Sequence, residues 1–184
     1  MSARLGLERH RHRGAIARRL LDAAPDAAAA LDWDALDRAP AWLAVPDTEL
    51  ALEQRRIGAT LNAAAIRLWI DRRKLAAART AVGDAFLRAL LADPAPPDFA
   101  RHSLIDSSVI AAEGCSDIAE WLRQAGAAVQ AVALSDGPLG KAAGIALCGR
   151  AGAALQLPAE AARGLIEHAR RIGATLATAG PETP

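Results

Sequence analysis

Residues 47–93 read DTELALEQRRIGATLNAAAIRLWIDRRKLAAARTAVGDAFLRALLAD, a long run without a proline. Leu50, Ile57, Leu61, Leu68 and Leu75 recur along it, with Ala64 and Ala65 between Leu61 and Leu68. Gaps of three, four and seven place these residues on one face of a 3.6-residue helix. Glu49, Glu53, Arg55, Arg56, Arg67, Arg72 and Arg73 fall mostly on the opposite face. Asp47 or Thr48 is positioned to cap the first turn, and Pro46 bars an earlier start. Gly83 and Asp84 predict a break and a fresh cap, with a second helix ending near Pro94. The expectation is a helical hairpin or bent pair that forms the centre of the molecule.

The rest of the chain fits around that centre. It has two Phe, four Trp and no Tyr, so its 52% hydrophobic content rests on Leu, Ile, Val and alanine. Alanine favours helix and permits close approach of one helix to another. The fold class expected is all-α, an irregular multi-helix bundle, with one short strand possible over 128–134. Residues 1–24 are basic and read as an N-terminal arm or solvated helix. Residues 25–180 read as one helical domain with a Pro-rich hinge at Pro94–Pro97, and 181–184 as a tail. Within that domain Asp26 can cap a short helix, and Trp33 and Trp42 are expected to pin residues 25–46 onto the hairpin. Further helices are expected over Asp106–Glu113 and Ser116–Ala125, with Gly126 as the terminating glycine. Another starts at Pro138 under an Asp136 cap, and a last one spans Ala159 to Ala179. In that last helix Ala162, Leu165, Ala169, Ile172 and Leu176 share a face.

Net charge is +1, which gives the whole molecule no strong field toward nucleic acid or an anionic membrane. No apolar run approaches the roughly 18 residues that span a bilayer. Arg18 and Arg19 interrupt any secretory h-region. Cys115 and Cys148 stand apart, without a CxxC or CxxH partner, and read as reduced, buried thiols of a cytoplasmic protein.

Chemistry-bearing patterns are missing from the sequence. GxSxG, HExxH, GxGxxG, paired CxxC and EF-hand patterns do not occur. The segment SDGPLGKAAG has Gly140-Lys141, but Ser135 stands where a phosphate loop needs its first glycine and Ala142 where it needs a hydroxyl. His10 and His12, at i and i+2, point to different sides of a helix, and His102 is alone. No catalytic, metal-binding or cofactor residue is expected.

Trp42 to Pro158 resembles the SctK (YscK-like) family of type III secretion sorting-platform accessory proteins. The resemblance is carried by WLAVP at 42–46, by LEQRRIGATLNAAAIRLWIDRRKLAAARTAVGDAFLRALL at 52–91, and by GRAGAALQLP at 149–158. It implies a non-enzymatic adaptor at the cytoplasmic face of the inner membrane, linking an SctD-like ring protein to an SctQ-like spoke protein. Partner-binding candidates are Trp42 and Trp69 as anchors, with Arg55, Arg56, Arg67, Arg72 and Arg73 to pair with carboxylates. For each arginine a solvated helix face is the simpler reading. The other functional readings are a small helical chaperone or regulator with one soluble protein partner, and an enzyme whose site is built from distant residues.

Overall fold

The computed structural model describes residues 2–29, 31–93, 117–149 and 155–178. Among them every regular element is helical: α1 (Ser2–Ala23), α2 (Pro25–Ala28), α3 (Trp33–Asp37), a 3-10 turn (Ala41–Ala44), α4 (Asp47–Leu61), α5 (Ala63–Arg67), α6 (Arg72–Val82), α7 (Asp84–Ala92), α8 (Ile118–Leu134), α9 (Gly140–Cys148) and α10 (Ala159–Thr178). The all-α expectation holds. The Pro94–Pro97 hinge, His102, Cys115 and the helix expected over Asp106–Glu113 lie outside the described residues.

The centre is a pair, α4 on α8, and glycine makes it possible. A Cβ at Gly58 would stand 2.0 Å from Leu122 O, and one at Gly126 only 1.9 Å from Gln54 O. At this crossing the backbones of two helices touch. Gly126 therefore does not terminate a helix, and residues 128–134 are not a strand: α8 runs through both to Leu134. Leu122 and Val129 on α8 are fully buried, as are Ile57 and Leu61 on α4 to within 2%. Gln54 and Gln130 are buried in the same layer, Gln54 Nε2 donating to Gln130 Oε1 at 3.2 Å. Gln130 Nε2 has no partner, so the pair lends register more than stability.

Around this pair the chain departs from the expected hairpin. Residues 47–93 form four helices. Asn62 interrupts the first, its side-chain amide donating to Gly58 O at 2.8 Å beside the backbone bond to the same carbonyl. Side-chain competition of this kind is why asparagine is a poor helix-interior residue. The interruption resets the helical phase. Ala63 and Ile66 become the buried residues, while Ala64 and Leu68, expected on the seam, are exposed. Gly83, at φ +92°, makes the expected break before α7. Asp84 lies inside the first turn of α7 and pairs with Arg79 and Arg88 instead of capping it.

Other starts differ from expectation for similar reasons. α4 begins at Asp47 without a side-chain cap, because the N-cap position falls on Pro46; Asp47 lies inside the first turn, its carboxylate accepting from Arg19 Nη2 at 2.6 Å. Asp26 sits inside the first turn of α2, which Pro25 opens. Asp136 caps nothing, since α9 starts at Gly140 and Asp136 faces Arg163 at 3.4 Å. Asp117 caps α8, accepting from Ala119 N and Glu120 N at 3.0 and 3.1 Å.

Helix α1, expected as a solvated helix or arm, buries Ile16 and Leu20 completely. Arg13 pairs with Asp37, and Arg19 donates to Leu43 O and to Val45 O. Trp42 is 3% exposed and belongs to the core, but Trp33 is 61% exposed and lies against Arg13 instead of the hairpin. α10 matches its expected span closely, with Ala162 and Leu165 fully buried.

Candidate protein-docking surface

The surface of interest is the corner between α5 and α6. Leu68 N donates to Ala65 O and Trp69 N to Ile66 O, which tightens and ends α5. Asp71 then caps α6, its carboxylate accepting from Arg73 N at 2.8 Å. Arg67 fastens the corner from behind: its Nη2 donates to Leu90 O and Asp93 O, both at 3.1 Å. Those carbonyls form the C-terminal end of α7, where a cation is favoured by the helix dipole. Trp69 is half-buried, its ring 6.2 Å from that of Trp121 on α8 and tilted by 42°. So positioned, the corner pushes Leu68 and Ile70 into solvent at 80% and 94% exposure. Fully burying an aliphatic side chain of this size contributes roughly 1.5–3 kcal/mol, and here neither is realised.

Arg72 and Arg73 project from the first turn of α6. Neither has an ion-pair partner among the described residues, and that turn contains no acidic side chain. Two cations at a helix N-terminus oppose its dipole, at roughly 0.3–1 kcal/mol each when exposed. An apolar pair and a cationic pair, both unfavourable in the free chain, thus occupy one corner.

Of the seven residues singled out in the sequence, the structure gathers Trp69, Arg72 and Arg73 on this surface, with Arg67 supporting it. It removes three. Trp42 is in the core. Arg56 is turned inward, Nε donating to Val82 O at 3.3 Å with the guanidinium 5.1 Å from the Phe86 ring centre. Arg55 is half-buried on α4, and its Nε has no partner. Leu68 and Ile70 were missed, because an apolar residue in a helical pattern is read as core by default.

Elsewhere, several polar side chains hold helices together. A cleft of about 660 Å³ separates α1 from α4 and α9, and two of its three arginines are already engaged. Arg19 holds Asp47 and the turn before α4, and Arg123 holds both Glu120 oxygens, at 2.7 and 2.6 Å. That fork keeps the Glu120 carboxyl at about 2. No group of three or more His, Cys, Asp or Glu side chains suited to a metal occurs among the described residues. The Cys148 thiol is half-buried, and burial pushes its pKa up.

His168, 5% exposed, joins α10 to the end of α7. Arg171 Nη2 lies 2.7 Å from His168 Nδ1, and a guanidinium can only donate, so Nδ1 accepts and the proton sits on Nε2. Nε2 stands 3.0 Å from Asp93 Oδ2 without the alignment of a hydrogen bond. Desolvation lowers the His168 pKa; Asp93 opposes that shift and Arg171 adds to it. A lowered folded-state value means that below about pH 6.5 the unfolded chain binds a proton that the native state refuses. Stability contributed above that pH is therefore lost as the pH falls toward the folded value. Urea midpoints of the native chain should drop as the pH falls below about 6.5, and His168→Gln should flatten that part of the profile.

No described helix is long and apolar enough to cross a membrane. No family model matches the chain, and no similar curated protein or solved structure was found for it.

Proposed function

We propose that this chain is a non-enzymatic adaptor that holds protein partners, and that it serves a type III secretion sorting platform between an SctD-like ring protein and an SctQ-like spoke protein at the cytoplasmic face of the inner membrane. The observation that carries the adaptor reading is the corner at Leu68–Arg73. It exposes two aliphatic side chains beside two arginines without ion-pair partners among the described residues, an apolar patch beside a residue type enriched at interface hot spots. The secretion assignment is supported by the resemblance over Trp42–Pro158 and by the helical body.

Affinity capture with the tagged full chain, from cells making the secretion apparatus, tests both parts. Ring and spoke proteins should be recovered with the native chain. The Leu68→Ser/Ile70→Ser variant should recover at least one of them about thirtyfold less well, since truncating a hot-spot anchor costs about 2 kcal/mol or more. Its thermal melt should match the native one, because both positions are exposed. Recovery of neither protein, or only of an effector or a transcription factor, would reject the platform in favour of a chaperone or regulator.

A further inference from the structure

We infer that the occupant of the Leu68–Arg73 corner is an acidic segment of a partner protein, carrying at least two carboxylates beside an aliphatic or aromatic side chain. The inference rests on the adaptor reading only in taking the occupant to be a protein. Its argument is charge complementarity. The sequence Arg67-Leu68-Trp69-Ile70-Asp71-Arg72-Arg73 holds three cations and one anion, and the structure spends two of these internally. Arg67 is engaged by α7 carbonyls, and Asp71 accepts from the Arg73 amide. Arg72 and Arg73 remain, at the positive end of α6 and next to Ile70 at 94% exposure. One segment relieves both unfavourable features if its carboxylates lie over the first turn of α6 and its apolar side chain covers Leu68 and Ile70.

Two other occupants fit less well. A second copy docking through the same surface would, in a two-fold arrangement, bring Arg72 and Arg73 against themselves. Anionic lipid is read by clusters of about four to eight basic side chains. The first turn of α6 holds three, Arg72, Arg73 and Lys74, with Asp71 just before them, on a chain whose net charge is +1.

The test is Ile70→p-benzoylphenylalanine in the full chain, photocrosslinked in cells making the secretion apparatus, with the crosslinked peptide read by mass spectrometry. The expected product is a protein segment with carboxylates flanking an apolar residue. Arg72→Glu/Arg73→Glu in the same chain should lower its yield about tenfold or more. Replacing that segment's carboxylates with arginine should restore the yield. The charge-reversal variant should melt at or above the native temperature, since acidic side chains suit the α6 N-terminus, which separates lost docking from lost folding. A crosslink to lipid, to a second copy or to a segment whose carboxylates can be removed without effect overturns the inference, as does the absence of any crosslink. If ring and spoke proteins are still captured in that case, the adaptor reading stands and only this mode of docking falls. An acidic segment from a protein outside the apparatus would support the docking mode and reject the platform.

Discussion

Replacing Gly126 with alanine should cost at least about 3 kcal/mol, and the variant should unfold at a markedly lower urea midpoint. On helix propensity alone the sign would be opposite, because alanine exceeds glycine by about 1 kcal/mol in a helix interior. The crossing decides it. The new Cβ would stand 1.9 Å from Gln54 O and 2.6 Å from Gln54 C, and both are backbone atoms of α4 that no rotamer change can move aside. The helices would have to separate by roughly an ångström, loosening Leu122 and Val129 along with them. Gly58→Ala should behave alike, its Cβ lying 2.0 Å from Leu122 O. Gly144 in α9 supplies the control: a Cβ there meets nothing within 4 Å, so Gly144→Ala should stabilise by about 0.5–1 kcal/mol. Equal costs at all three positions would show that the α4–α8 contact is looser than described.

That contrast shows what the sequence made legible. The span of α10 could be read because one amphipathic stripe runs its whole length and its partners need no special geometry. Gly126 was misread for a physical reason: a glycine that ends a helix and one that admits another backbone look the same locally. Only the chain across from it, here Gln54, distinguishes them. Residues 47–93 were misjudged at Asn62, where one side-chain hydrogen bond to Gly58 O shifts the phase of everything after it. Leu68 moves from seam to solvent as a consequence, and with Ile70 it forms the exposed corner proposed for docking. Trp69, Arg72 and Arg73 were visible in advance as long side chains off the expected seam. Arg56 and Arg67 looked the same, yet their carbonyl acceptors lie on helices 23–26 residues away, beyond the reach of local spacing.

The division among the arginines leads to the second large effect, at Phe86. This ring is 1% exposed beneath the Arg56 guanidinium, which also donates to Val82 O at the end of α6. Phe86→Ala should cost about 3–5 kcal/mol, because the ring is lost and the helices around it cannot fully collapse. Arg56→Ala should cost about 1–2 kcal/mol, from the cation–π contact and the hydrogen bond together. In the double variant the two losses should fall short of their sum, since the cation–π part can be lost only once. Denaturant midpoints of the four chains give the coupling directly. Arg72→Ala, by contrast, should not destabilise, and removing a cation from the α6 N-terminus should add about 0.3–1 kcal/mol. The same chains then separate structure from recognition. Arg56→Ala should lower the melting temperature yet capture partners normally while folded, and Arg72→Glu/Arg73→Glu should do the reverse. A reversed outcome would move the interface from the α5–α6 corner to the face that Arg56 covers, and the exposure of Ile70 would then need another cause.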